Sequence, residues 1–107
     1  MSIDQIEPDD FLRQMEEGIL HEALLIDVRE PYEWEYYHLE GIQLMPMNSI
    51  PAKLEELPKE KPIYVVCAHG VRSMHVSYYL MQQGFEHVVN VEGGMAALAQ
   101  LRGFQYD

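Results

Sequence analysis

The stretch Pro62-Ile63-Tyr64-Val65-Val66-Cys67-Ala68-His69-Gly70-Val71-Arg72-Ser73 decides how this chain is read. Its first half is an apolar run rich in β-branched and aromatic residues, opened by a proline, so a strand ending at Cys67 is expected. Arg72 to Gln83 reads as a helix, and Gly84 is placed to end it. The turn between the two carries Gly70, which reaches backbone angles that other residues resist. A cysteine at that junction faces backbone N–H groups of the turn and the positive end of the following helix, both of which favour a thiolate. The thiolate is the nucleophilic form of cysteine. Arg72 is expected to add a fixed positive charge at the rim of the loop.

Working outward, helix and strand patterns alternate. Pro8 to Glu17 reads as a helix, with Pro8 at a first helical position, Asp9 and Asp10 at its positive end and Gly18 after the last turn. Leu24 to Val28 reads as a buried strand, Pro31 to about Tyr36 as a short helical turn, and Ile42 to Met45 as another strand. Asn48 or Ser49 is a candidate cap for a helix starting near Pro51, with Leu54 and Leu57 inward and Pro58 stopping it. Val88 to Val91 reads as a strand and Gly94 to Arg102 as an Ala/Leu-rich helix. Short apolar strands separated by helices predict an α/β fold, a central parallel β-sheet with helices on both faces. One domain is expected over 1–107, its core about 3–102, with an irregular tail over 103–107.

Composition narrows the function. Of 107 residues, 48% are hydrophobic and 23% charged, as in a globular chain that buries its own core. The formal net charge is −11. Residues 1–60 carry 15 acidic and 4 basic side chains, whereas residues 61–107 carry 3 of each. Such an acidic half argues against a nucleic-acid partner and against an anionic membrane surface. Cys67 is the only cysteine, so neither an internal disulfide nor a multi-cysteine metal site is expected. The first residues lack the basic and apolar regions of a signal peptide, and no window is long and apolar enough to span a bilayer. A cytoplasmic location, a monomer, no cofactor and no metal are the expectations.

Four segments together resemble the rhodanese (sulfurtransferase) domain family, from about Ile3 to Leu98. Its Cys-x-x-Gly-x-Arg-Ser/Thr loop is matched by Cys67-Ala68-His69-Gly70-Val71-Arg72-Ser73. Its Asp-x-Arg-Glu segment is matched by Asp27-Val28-Arg29-Glu30, followed by Glu33. His38-Leu39-Glu40-Gly41 matches its His-x-x-Gly segment, and Gly93-Gly94 its late glycine pair. Leu98 departs from the tryptophan that many members carry, which bears on packing more than on chemistry. The resemblance implies a sulfurtransferase in which Cys67 takes sulfur from thiosulfate or a persulfide donor, holds it as a persulfide, and passes it to cyanide, a thiol or a protein acceptor. The loop residues Ala68, His69, Gly70, Val71, Arg72 and Ser73 would bind the persulfide. Asp27 would brace the loop, and Arg29 would lie near it, paired with Glu33.

Two other readings fit a loop of this kind. Rhodanese-like domains also serve as sulfur-carrier or docking modules for a protein partner. Cysteine phosphatases and arsenate reductases likewise use a thiolate cradle with an arginine. Tyrosine-phosphatase-like loops are one residue longer between cysteine and arginine, and arsenate reduction usually needs further thiols. His38 and His75 read as structural, His69 as a loop side chain able to tune the donor, and Tyr32, Trp34, Tyr36 and Tyr37 as half core, half rim.

Overall fold

A computed structural model describes residues 3–106. Five strands form one sheet: β1 (Asp4–Ile6), β2 (Leu24–Asp27), β3 (Gln43–Leu44), β4 (Ile63–Val66) and β5 (Val88–Val91). Their spatial order is β1-β5-β4-β2-β3, and every pairing is parallel. The three inner strands are near-continuous apolar runs because both of their faces are covered. Side chains alternate between two cores. Ile26, Ile63, Val65 and Val88 pack with Val76, Leu80, Ile50 and Leu57 on one face. Leu25, Val66 and Val91 pack with Phe11, Leu12, Met95 and Leu98 on the other.

The helices are α1 (Pro8–Glu16), α2 (Pro31–Tyr36), α3 (Val71–Gln82) and α4 (Gly94–Leu101). The α/β architecture is the one expected from the alternating pattern, and most boundaries fall within a residue of the sequence reading. Three features differ. The segment from Pro51 is a 3-10 helix, Pro51–Glu56, rather than an α-helix. Neither Asn48 nor Ser49 caps it, since the Ser49 hydroxyl donates to the Pro46 carbonyl at 2.6 Å. The third is β1, which the sequence does not announce. It is three residues long, edge-placed and largely exposed, and it pairs only with β5. Leu98 is fully buried and fills a core position. No helix among the described residues is long and apolar enough to cross a membrane.

Topology fixes where a site can form. From β2 the chain moves to β3 on one side of the sheet, and from β4 it moves to β5 on the other. The carboxyl ends of β2 and β4 therefore flank a switch point, where open α/β sheets hold their ligands. Asp27 ends β2, and Cys67 follows the last residue of β4.

Candidate active site

Cys67 is buried, with 1% of its surface exposed. Gly70 sits at φ +98° as the N-cap of α3, a left-handed conformation that glycine accepts without strain. That turn aims the Gly70 N–H at Cys67 Sγ, 3.0 Å away. Ser73, in the first turn of α3, places its Oγ 3.3 Å from the same sulfur. Both groups sit at the positive end of a 12-residue helix, so the sulfur lies where negative charge is favoured.

The glycine pair explains how the loop is held from behind. A Cβ on Gly94 would stand 2.3 Å from the Cys67 carbonyl oxygen and 2.7 Å from the Ala68 carbonyl carbon, so no larger residue fits. This close approach lets the first N–H groups of α4 reach the loop. Met95 N–H donates to the Cys67 carbonyl at 2.7 Å, and Ala96 N–H to that of Ala68 at 3.0 Å. Unpaired donors at one helix start thus satisfy the acceptors of the loop that opens another.

Two carboxylate–guanidinium pairs flank the loop, and their partners differ from the sequence expectation. Arg29 does not pair with the Glu33 carboxylate. It is fully buried and pairs with Asp27, also fully buried. Its Nε lies 3.0 Å from both Asp27 oxygens, and Nη2 lies 2.7 Å from Oδ2. The remaining donors reach the Glu33 carbonyl (3.1 Å), the Tyr37 carbonyl (2.7 Å) and the Tyr106 hydroxyl (2.9 Å). All five guanidinium N–H groups are therefore used. Burial pulls the Arg29 pKa down, but the hydrogen bond and charge of Asp27, helped by Tyr106, outweigh it and raise the pKa above the ordinary value.

Arg72 is not a free rim charge. Its two Nη atoms donate to the two Glu33 oxygens at 2.7 and 2.8 Å, a planar fork-to-fork pair. The Glu33 Oε1 also accepts the Glu30 N–H at 2.9 Å, closing a capping box at the start of α2. The Arg72 hydrogen bond is the main reason the Glu33 pKa falls from 4.5 to about 2. Reciprocally, Glu33 raises the Arg72 pKa, and the nearby Cys67 adds to that effect. Arg72 stays reachable, since a third of its side chain is exposed.

A cleft of about 450 Å³ opens over the loop, lined by Tyr32, Glu33, Tyr36, Ala68, His69, Arg72 and Tyr106. Of the aromatic run along α2 and its C-cap, Tyr32 (73%) and Tyr36 (49%) are exposed at the rim as expected, whereas Trp34 and Tyr37 are only half-buried and no member is a core residue. His69 is exposed and meets the Tyr106 ring edge-on at 6.0 Å. His38 is outside the cleft, stacked on Trp34 with its Nδ1 2.8 Å from the Trp34 carbonyl. His75 lies elsewhere, beside an apolar cleft with Met47, Ile50 and Tyr79.

Three contributors escape sequence reasoning. Tyr106 lies in the irregular tail yet binds Arg29 and lines the cleft. Asn90 is a buried amide inside β5 that accepts the Ser73 hydroxyl proton. Gln5 is the β1 residue in register with Asn90, and its Oε1 accepts from Asn90 Nδ2 at 3.0 Å. A polar residue within an otherwise apolar strand was the one available signal for Asn90.

This is the class of α/β site in which a cysteine at a strand end faces a helix start. The rhodanese-like domain family model matches residues 7–101, and the chain belongs to that family. It is 37% identical over 79 residues to a protein named sulfurtransferase from Allochromatium vinosum, covering 74% of each chain. It is 33% identical over 76 residues to the thiosulfate sulfurtransferase GlpE of Vibrio cholerae, covering 71% of this chain and 72% of that one. The rhodanese-like domain protein of Staphylococcus aureus superposes with a TM-score of 0.81 at 35% identity, covering 90% of this chain and 91% of that one. Other curated relatives are longer, and the chain spans only a third or a fifth of their length.

Proposed function

We propose that this protein is a sulfurtransferase in which Cys67 carries one sulfur as a persulfide. The observation that carries the reading is the Cys67 sulfur, held 3.0 Å from the Gly70 N–H at the start of α3. The Cys67 thiolate attacks the outer sulfur of the donor. A new S–S bond forms, the donor's own S–S bond breaks, and the remainder leaves with the electron pair, as a thiolate from a persulfide or as sulfite from thiosulfate. An acceptor thiolate or cyanide then attacks the outer sulfur of the Cys67 persulfide, and the Cys67 thiolate is regenerated. This is two-step covalent catalysis with ping-pong kinetics expected. The loop Ala68–Ser73 cradles the persulfide, while Asp27, Arg29 and Glu33 support it from outside the chemistry.

The preferred donor in this proposal is an organic or protein persulfide rather than free thiosulfate. Thiosulfate is a dianion, and the loop's arginine is already paired with Glu33. Ala68, His69 and Val71 add no fixed charge, and the net charge of −11 repels anions until salt screens it. The acceptor is a small thiol or a thiol on a protein. A monomer acting as one domain in a reducing compartment fits a chain with a single free cysteine. Steady-state comparison of thiosulfate with a persulfide donor across salt concentrations tests the donor class. Higher kcat/KM for the persulfide is expected, and a preference for thiosulfate at physiological salt overturns it.

A further inference from the structure

Asparagine is depleted in strands, and a buried amide is costly unless every polar atom is bonded. Asn90 is 1% exposed in the second strand of the sheet, and its bonds form a chain. Cys67 Sγ meets Ser73 Oγ, whose hydroxyl donates to Asn90 Oδ1, while Asn90 Nδ2 donates to Gln5 Oε1. A serine hydroxyl has one proton. With that proton directed to Asn90, Ser73 presents only lone pairs to the sulfur. The arrangement suits a Cys67 thiol, which donates its S–H to Ser73, and opposes a thiolate.

We propose that Asn90 and Gln5 form an amide relay that reverses its hydrogen-bond direction when Cys67 loses its proton. Rotating both terminal amides by half a turn keeps the chain satisfied. Gln5 Nε2 then donates to Asn90 Oδ1, Asn90 Nδ2 donates to Ser73 Oγ, and the Ser73 proton turns to the thiolate. The thiol proton itself goes to solvent, and no other bond is made or broken. The rotation gives up one long contact, Asn90 Nδ2 to the Gly70 carbonyl at 3.5 Å. Both residues are positioning residues acting through Ser73. Gln5 holds the outer end because β1 sets it directly opposite Asn90 across the parallel pair, and it is exposed enough to turn.

The charged and titratable groups on the elements around the loop lie outside this chain. They include Arg72, His75, Tyr78 and Tyr79 on α3, His69 in the loop, Tyr64 on β4, Asp27 at the end of β2 and Arg29 after it, Tyr32, Glu33 and Tyr36 on α2, Asp4 on β1, Glu92 after β5 and Tyr106 in the tail. All remain in place when Gln5 is changed. The inference rests on Cys67 being the reacting thiol. Its test uses iodoacetamide alkylation of the sole cysteine followed by mass spectrometry, which reads thiolate formation whether or not sulfur is transferred.

Gln5→Glu supplies only acceptors, fixes the relay in the thiol direction and moves the midpoint of alkylation rate against pH upward. Gln5→Lys supplies only donors and moves it downward. A change of roughly threefold in rate at a fixed pH below the midpoint is expected in each case, the scale of one neutral hydrogen bond. Charge alone would act in the same two directions, so the profiles are repeated in about 1 M salt, where charges beyond ~3 Å are screened. Asp4→Lys, on the adjacent exposed residue of β1, is the charge control. Opposite shifts that persist in salt and are absent in Asp4→Lys support the relay. Unmoved midpoints, shifts that vanish in salt, or shifts reproduced by Asp4→Lys overturn it.

Discussion

The Asp27–Arg29 and Glu33–Arg72 pairs join the same two chemical groups and meet at Glu33, whose carbonyl takes Arg29 and whose carboxylate takes Arg72, but their surroundings differ. In the first, both partners have no exposed surface, and every guanidinium N–H has an acceptor. In the second, the arginine is one-third exposed and lines the cleft over the loop. A buried charge cannot be released without leaving its partner unpaired in a low-dielectric interior, so the first pair is a fixed brace. The second can open at modest cost, because water replaces what the partners lose. Burial rather than chemistry therefore separates a structural clamp from one that can answer to a ligand.

The largest expected effect comes from breaking the brace. Arg29→Ala leaves the Asp27 carboxylate buried without a cation and removes the donor from the Tyr37 carbonyl, the Glu33 carbonyl and the Tyr106 hydroxyl, so a loss of about 3–5 kcal/mol is expected in chemical denaturation. A loss under ~1 kcal/mol would show that water reaches Asp27 and that the two pairs are alike.

Arg72→Ala should act on turnover more than on stability. We expect about a tenfold lower kcat/KM with an anionic donor, the scale of one partly exposed charged contact to a reacting group, and a melting temperature within a few degrees of the parent. Unchanged kinetics with a large fall in melting temperature would make Arg72 a second brace.

A pH series on Glu33→Gln sharpens the same contrast. The Glu33 pKa is lowered in the folded protein, from 4.5 to about 2. Its ion-pair contribution is therefore complete above pH 4.5 and lost as pH falls toward 2. The parent should exceed the variant by roughly 1 kcal/mol near neutral pH, and the gap should close across that window. A gap that stays constant in acid would assign the difference to the capping box with Glu30 instead.

Tyr106→Phe is the mildest probe. It removes one hydrogen bond to Arg29 and keeps the ring against His69, so about 1 kcal/mol of stability should be lost with the cleft unchanged. A larger loss would mean that the tail closes the brace rather than merely covering it.

These contrasts also mark what a linear reading reaches. The strand–loop–helix around Cys67 is legible because its signals are contiguous: an apolar run, a glycine at positive φ and a helix with a glycine stop. Asp27 and Arg29 are legible as neighbours in the chain, two residues apart. The Glu33–Arg72 pair joins positions 39 residues apart, and nothing local prefers Arg72 to Arg29 as the partner of Glu33. Strand β1 was missed because Asp4 and Gln5 are polar, and its pairing with β5 comes from tertiary context. Tyr106 follows a glycine-ended helix in a segment with no regular pattern, and only the fold brings it to Arg29, 77 residues earlier.

Whether the Cys67 site carries sulfur is tested most directly by intact-protein mass spectrometry after exposure to a persulfide donor, with removal of the donor and then addition of a thiol. The expected result is one added sulfur, mapped by fragmentation to Cys67, absent in Cys67→Ser with its fold intact, and lost when the thiol is added. A sulfur that never appears on Cys67, or sulfur transfer that persists in Cys67→Ser, would contradict the assignment.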